Sequence, residues 1–135
     1  MRFLIHGAVR LEAPAAMAKR AHTCHALPEL VADAEASVLE AAALDPAVLL
    51  PLLEKRQWNL LTTEAALVRA LYEKKVSFSG VIVLVLDDPE SPRDQGRAIE
   101  RLFDRYQRLT PGRLYTVTAS RVKIRQLPGA GMRRK

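Results

Sequence analysis

The sequence has a single cysteine, Cys24, so an internal disulfide is excluded. It also has no long hydrophobic run, because the longest strongly apolar stretch, residues 81–86, is far shorter than the roughly 20 residues that span a bilayer. At the N-terminus, His6 follows after only three apolar residues, too few for a secretory signal. We therefore expect no membrane association and a cytoplasmic location.

Several motifs of catalysis and cofactor binding are missing as well. No glycine-rich phosphate loop follows a predicted strand, no cysteines are paired at zinc spacing, and no Gly-x-Ser-x-Gly motif is present. These absences disfavour the nucleotide-binding, zinc-binding and hydrolase folds that such motifs mark. The one Cys/His cluster, formed by His22, Cys24 and His25, would need a fourth ligand to bind zinc, and we interpret it as a partly buried strand edge.

The composition is that of a globular domain. Of the 135 residues, 49% are hydrophobic and 27% are charged, which suits a chain with one buried core. We assign residues 1–127 to a single domain and residues 128–135, which are rich in glycine and basic residues, to a flexible basic tail.

The positive charge is concentrated in the last third of the chain. Residues 1–92 contain 9 Lys and Arg against 12 Asp and Glu, whereas residues 93–135 contain 12 against 3. This asymmetry is typical of a protein with a phosphate-rich partner, although excess charge can also simply keep a small protein in solution. Nucleic acid is therefore the first partner to consider.

Strand and helix patterns alternate along the chain. The run over residues 81–86 is rich in β-branched side chains and does not alternate with polar ones, which indicates a strand covered on both faces. Taken together, the pattern predicts a three-layer α/β/α sandwich with a mainly parallel central sheet and a C-terminal β-hairpin. The predicted strands cover residues 3–5, 22–27, 59–62, 81–86, 114–119 and 121–127, and the predicted helices cover residues 15–20, 33–44, 45–56, 63–75 and 93–109.

The helix predicted over residues 93–109 is amphipathic, with arginines opposite its apolar face. Arginines four residues apart repel one another on a helix, so this face favours an anionic partner over simple solvation. In the last predicted strand, basic side chains alternate with apolar ones and point to one side. The predicted nucleic-acid contacts are Arg93, Arg97, Arg101, Arg105, Arg121, Lys123 and Arg125.

Parallel sheets of this kind bind their ligands beyond the carboxyl ends of the strands, and acidic residues of this chain stand at such positions. This rule directs attention to His6, residues 62–64, Asp87 and Asp88. Carboxylates that converge at such an edge hold Mg²⁺ or Mn²⁺ and activate water against a phosphodiester. Each acid also has a structural explanation: Asp45 as a helix N-cap, Glu64 as a first-turn acid, and Asp87 with Asp88 as a turn.

Two motifs of the chain match a known family. Residues 45–49, Asp-Pro-Ala-Val-Leu, have the form of a helix start Asp-x-x-Ile/Val-Leu, and residues 60–64, Leu-Leu-Thr-Thr-Glu, have the form of a strand that ends in Thr-x-Asp. With the later strand runs at 80–84, 112–117 and 121–125, the sequence resembles the short bacterial PIN-like domains, relatives of the VapC-type toxin ribonucleases. The resemblance covers nearly the whole chain.

This resemblance implies a metal-dependent endoribonuclease of toxin type, with Asp45 and Glu64 on Mg²⁺ or Mn²⁺ and His6 as a further catalytic residue. The chain departs from the family where His6 replaces the usual strand-end Asp and where Ala66 replaces a second Asp after the Thr-x-Asp motif. An alternative alignment places Glu35 in the position of Asp45. The acidic cluster is thus depleted.

Two alternative functions remain open. With its acidic cluster depleted, the chain is expected in the first to be a PIN-like module without catalysis that binds RNA or an antitoxin-type protein partner through its basic C-terminal third. Alternatively, the arginine face is only solvated and the protein works as a homodimer.

Overall fold

The computed structural model describes residues 1–10, 12–26, 45–86, 95–118 and 120–128. The helix predicted over residues 33–44, the turn at 87–89 and the tail from residue 129 lie outside this part of the chain. We number the described elements in chain order. The strands are β1 (Arg2–His6), β2 (Thr23–His25), β3 (Asn59–Thr62), β4 (Ile82–Val85), β5 (Arg113–Val117) and β6 (Val122–Gln126), and the helices are α1 (Glu12–Ala18), α2 (Pro46–Arg56), α3 (Ala65–Glu73) and α4 (Gln95–Arg105).

The six strands form one sheet in the order β2-β1-β3-β4-β5-β6. Every neighbouring pair is parallel except β5 and β6, which are antiparallel. The predicted α/β class with a mainly parallel sheet is therefore confirmed. Because β2 lies on one side of β1 and β3 lies on the other, the chain reverses its direction across the sheet between β1 and β3.

Buried side chains form two core clusters that take alternate residues of the strands. One cluster joins Leu4, Leu60 and Leu114 to residues of α2 and α3, and we call this the α3 side. The other joins Phe3 and Leu61 to residues of α1 and α4, and we call this the α4 side. All four residues of β4 are buried, as its apolar run predicts for a strand covered on both faces.

The helices that follow β3 and β4 pack on different sides of the sheet. From β3 to β4 and from β4 to β5 the chain advances in the same direction, yet α3 belongs to one core cluster and α4 to the other. These two β-α-β crossovers therefore have opposite handedness, whereas crossovers between parallel strands are nearly always right-handed. As a result, α4 does not cover the α3 side of β5 and β6.

Helix α2 begins as the sequence predicts. Asp45 is its N-cap in extended conformation, and Pro46 occupies the first helical position, where its missing N–H leaves no bond unmade. The helix ends at Gln57, which has a left-handed φ of 57° and whose N–H donates back to the last turn. Trp58 then enters the core directly before β3.

Helix α4 is shorter than the predicted span of residues 93–109. The described helix ends at Arg105, although Tyr106 N still donates to the Leu102 carbonyl at 2.8 Å. Shortly after it, the Thr110 N–H donates to the Tyr115 hydroxyl at 2.8 Å, which fixes the entry into β5. Among the described residues no helix has the length and apolar character needed to cross a bilayer.

Candidate functional site

The candidate site lies at the carboxyl ends of β1 and β3, where the direction of the chain across the sheet reverses. In open α/β sheets such a reversal leaves a crevice that ligands occupy. His6 and Thr62 are paired in the sheet register, and His6 Nδ1 is hydrogen bonded to Thr62 Oγ1 at 2.8 Å. Because Thr62 is fully buried, this hydrogen bond fixes the imidazole of His6 at the end of β3.

The turn after β1 presses closely against the turn after β3. Gly7 has a φ of +80°, and a methyl group built on it would lie 2.5 Å from Thr63 Oγ1 and 3.1 Å from Glu64 Oε1. The Ala8 N–H donates to Thr63 Oγ1 at 2.7 Å, and the Thr63 N–H donates to the His6 carbonyl at 3.3 Å. Only a glycine combines this conformation with this close approach.

Glu64 stands at the N-terminus of α3, beside that turn. Its N–H donates to Thr62 Oγ1 at 3.0 Å, while its carboxylate makes no capping hydrogen bond to the helix. The residue is exposed and its carboxylate lies close to Gly7. The structure therefore brings His6 and Glu64 to one edge, as their strand-end positions predict.

Asp45 is held in a different way. Its Oδ1 accepts from the Ala47 N–H at 2.9 Å and from Lys74 Nζ at 3.2 Å. The Ala47 hydrogen bond, and after it the hydrogen bond from Lys74, lower the pKa of the Asp45 carboxyl. Lys74 caps the C-terminal end of α3, which at 1.5 Å per residue lies roughly 15 Å along the axis from Glu64 at the other end.

The described residues contain no group of three or more His, Cys, Asp or Glu side chains arranged to hold a metal ion. Within that part of the chain the donor set at the edge is His6 and Glu64, which falls short of a complete site for Mg²⁺ or Mn²⁺. Glu35, Asp87 and Asp88 lie outside the described residues. The shared Asp45 and Glu64 metal site therefore stays a prediction, and the Lys74 contact of Asp45 does not support it.

The arginines of α4 lie on the α4 side. Arg97, Arg101 and Arg105 are exposed and form what we call the α4 arginine face, while Arg93 lies outside the described residues. The opposite face of the helix is buried, with Ile99, Leu102 and Phe103 in the core.

The acids of this helix face other cations. Glu100 lies 3.8 Å from Lys19 Nζ, and Asp104 lies 3.5 Å from a guanidinium nitrogen of Arg20. Both partners stand just after the end of α1, and their charges offset those of the two acids. All four side chains are well exposed, so these pairs contribute little to stability.

The basic residues of β6 lie on the other side of the sheet. Arg125 is paired with Leu114 and Lys123 with Thr116 in the register, and residues directly opposite in an antiparallel pair share a face. Since Leu114 packs in the α3-side core, Lys123 and Arg125 point to the α3 side. Together with Arg121 they form the β6 ridge, which the sheet separates from the α4 arginine face.

A groove that the sequence does not predict lies on the α3 side, between α3 and β6. Its volume is about 520 Å³, and we call it the α3–β6 groove. Leu84 and Leu114 contribute to its floor, and its rims carry Arg69 and Lys123. No pattern in the sequence signals it, because it depends on the side of the sheet that α4 takes. Further lining residues are Val68 and Tyr72.

The His22, Cys24 and His25 cluster is structural, as expected. His22 stacks on Phe103 with ring centroids 5.1 Å apart, whereas His25 stacks on Trp58 at 4.6 Å. Phe103 and Trp58 belong to different core clusters, so the two imidazoles face opposite sides of the sheet. Burial raises the pKa of the Cys24 thiol to about 11, which keeps it protonated and a poor metal ligand at neutral pH.

Comparison with family models, with curated proteins and with solved structures finds no significant match for this chain. The PIN-like resemblance therefore depends on the sequence motifs alone.

Proposed function

We propose that this chain is a PIN-like module that binds RNA through the α4 arginine face. The observation that carries the proposal is the arrangement of α4. Its arginines are exposed on one face, its opposite face is buried in the core, and its acids Glu100 and Asp104 lie against Lys19 and Arg20. Five cations, two just after α1 and three on α4, stand against these two acids, so the described part of this surface has a net positive charge.

Guanidinium groups at this spacing suit a phosphate backbone. Arginine contacts phosphate oxygens in a bidentate manner, and such contacts supply affinity without reading the base sequence. The resemblance to PIN-like domains makes RNA the polyanion of choice. The module then positions an RNA strand along α4, with no selection among bases at this surface.

The packing is compatible with the layered architecture that the PIN-like resemblance implies. Alternate strand residues pack into two core clusters, with α2 and α3 in one and α1 and α4 in the other, which fits a three-layer α/β/α sandwich. The antiparallel pair β5 and β6, with the Thr118 N–H donating to the Arg121 carbonyl at 2.9 Å, fits a C-terminal β-hairpin.

The test is RNA binding as a function of salt. Fluorescence anisotropy with a fluorescein-labelled single-stranded RNA is measured over a series of KCl concentrations for the native protein and for the double variant Arg97→Ala and Arg101→Ala. Each lost phosphate contact reduces the slope of log K against log salt by about 0.7, so we expect weaker binding and a slope flatter by roughly 1.4.

The matched control is Lys55→Ala with Arg56→Ala. Both residues are exposed at the C-terminal end of α2, on the α3 side, and the net charge changes by the same amount. This control should retain the native slope. Equal losses in both double variants would show nonspecific attraction by net charge, and an unchanged slope in the α4 variant would contradict the proposal.

A second function, metal-dependent endoribonuclease, is favoured by the carboxyl edge of β1 and β3. There the Glu64 carboxylate is close to the strand ends and is not used in capping, and His6 is fixed by Thr62. If the site is active, Glu64 would offer a carboxylate oxygen to Mg²⁺ or Mn²⁺, which would supply the activation of water, and His6 would hold or accept a proton.

Manganese binding distinguishes the two functions. If the chain is the nuclease, calorimetric titration with Mn²⁺ should give heat with the native protein and none with Glu64→Gln. The control is Glu73→Gln, an exposed acid at the other end of α3. Cleavage of RNA that disappears in Glu64→Gln and in His6→Ala would establish the nuclease, whereas intact RNA with retained binding would establish the module.

A further inference from the structure

The α3–β6 groove is a concavity whose lining combines apolar and charged side chains. Leu84 and Leu114 are buried in its floor at 5% and 4% exposure. Half-buried Thr116 completes the floor on β5. One wall is the exposed flank of α3 and the other is β6, the last strand of the sheet.

The groove is open because of the path of α4. The crossover after β3 places α3 on this side, but the crossover after β4 places α4 on the other side. Among the described residues, no second helix therefore lies beside α3 over β5 and β6. Leu84 and Leu114 pack with residues of α3 in the core, and only a small part of each side chain is exposed at the base of the concavity.

The charged residues that line the groove indicate which kind of ligand it can bind. The lining includes three cations, Arg69, Lys123 and Arg125, and one acid, Glu73. Arg125 is stacked over the ring of Tyr72 at 3.7 Å, and the Tyr72 hydroxyl donates to the Gln126 carbonyl at 2.8 Å, so that end of the groove is fixed. Arg69 and Lys123 remain as the cations of the two opposite walls.

A second copy of this chain fits poorly at this edge. If β6 paired with its own copy, the basic side chains of the β6 ridge would lie across from one another, and like charges in cross-strand positions are destabilising. Bases of RNA would meet a floor of leucine side chains without an exposed aromatic face, since the Tyr72 ring is covered by Arg125. A peptide with both aliphatic and acidic side chains could contact the apolar floor with the former and the cationic walls with the latter.

We propose that the α3–β6 groove binds an acidic amphipathic segment of another protein, with aliphatic side chains on the leucine floor and carboxylates facing Arg69 and Lys123. This goes beyond RNA binding, because the groove and the α4 arginine face lie on opposite sides of the sheet. Both surfaces can therefore be occupied at once.

The probe for the test is a fluorescein-labelled synthetic amphipathic peptide made of leucine, alanine and glutamate. Two further peptides carry lysine in place of every glutamate or serine in place of every leucine. Anisotropy with the full chain should show saturable binding of the first peptide only. Loss of one charge contact across an interface corresponds to about tenfold weaker binding, so Lys123→Glu should weaken the peptide complex at least tenfold.

The control variant is Arg121→Glu. Arg121 belongs to the same ridge and gives the same change in net charge, but it does not line the groove. It should bind the peptide within about twofold of the native protein, because rim charges far from a contact change affinity little. Circular dichroism melting curves of both variants establish that they are folded, and methyl NMR shifts at Val68 and Leu114 should follow peptide saturation.

Three results would overturn the proposal. The first is no saturable binding of the glutamate peptide, and the second is equal binding of the lysine or serine peptide. The third is an equal loss in Lys123→Glu and Arg121→Glu, which would indicate general charge attraction. If Lys123→Glu impairs RNA binding while Arg97→Ala with Arg101→Ala does not, the groove is a nucleic-acid site. Both the peptide proposal and the proposal for the α4 arginine face are then wrong.

Discussion

On the α4 side of the sheet, arginines stand on an exposed helix surface among carboxylates, whereas on the α3 side basic side chains line a groove with a leucine floor. The α4 arginines and the basic residues of β6 come from the same basic third of the chain, whereas Arg69 in the groove comes from α3. An exposed helix face with spaced guanidinium groups suits a flexible polyanion, while a concavity with apolar floor and cationic walls suits an amphipathic peptide. The difference shows that net charge alone does not specify a partner, because the partner also depends on the surface that presents the charge.

The largest expected loss of stability comes from substitutions in the core on either side of the sheet. Phe103, fully buried on the α4 side, and Leu53, fully buried on the α3 side, each leave a cavity when replaced by alanine. We expect Phe103→Ala to lower the free energy of unfolding by about 4 kcal/mol and Leu53→Ala by about 3 kcal/mol. Urea denaturation followed by Trp58 fluorescence and by circular dichroism measures both.

The same experiment shows whether the two sides unfold together. Because every described strand except β2 and β6 contributes buried residues to both clusters, both variants should melt in one coincident transition. Separate transitions by the two probes in Phe103→Ala would show that the sides are independent.

The next largest effect concerns the turn after β1, at the carboxyl edge of the sheet. Gly7→Ala forces an alanine into a φ of +80° and places its methyl group 2.5 Å from Thr63 Oγ1. Strain of this kind costs about 2 kcal/mol, so the free energy of unfolding should fall by that amount. Unchanged stability in urea denaturation would mean that the turn after β1 is not held against Thr63.

A smaller effect comes from Asp45, which joins α2 and α3 on the α3 side. Asp45→Ala removes both the cap on Ala47 and the contact with Lys74, whereas Asp45→Asn keeps an oxygen for the cap. Thermal melts at neutral pH should rank the native protein first, then Asp45→Asn, then Asp45→Ala. Equal stability of the two variants would show that the charge, not the capping oxygen, is the main contribution.

The pH dependence of that ranking has a definite sign. The folded-state pKa of Asp45 is lowered, so its contribution is complete above the unfolded-state pKa, near 4, and is lost as the pH falls through the lower folded value. The advantage of the native protein over Asp45→Asn should therefore shrink in acid. An advantage that grows below pH about 4 would contradict the observed contacts.

The smallest effect compares one arginine from each side. Arg125 lies over the Tyr72 ring, so Arg125→Ala should cost about 0.5–1 kcal/mol of unfolding free energy. Arg105→Ala, at the exposed end of α4, should cost less than about 0.5 kcal/mol. Equal costs would show that the stacking on Tyr72 adds nothing in solution.

Much of the fold could be predicted from local patterns. The N-cap at Asp45, the strand over residues 59–62 and the buried β4 follow from capping chemistry and from runs of apolar side chains. The end of α4 could not be predicted closely, because periodicity continues through Tyr106 and Leu109 while the entry into β5 ends the helix. Local periodicity does not include the partner that ends an element.

The candidate site could be predicted in part. The strand-end rule placed His6 and Glu64 together, since parallel strands end at one edge. It could not show that Asp45 is held by Lys74, which is 29 residues away in the sequence. A carboxylate at a helix start has the same local signal whether it serves as a cap, as a metal ligand or as one half of an ion pair.

The sequence by itself determined which segments become strands and helices, which face of α4 is apolar, and which residues carry the charge. These properties depend on side chains that are close along the chain, so spacing reveals them. Only the tertiary structure decided that α3 and α4 pack on opposite sides of the sheet and that the two basic surfaces are separate. That choice depends on contacts between distant segments, and it is the choice that opens the α3–β6 groove.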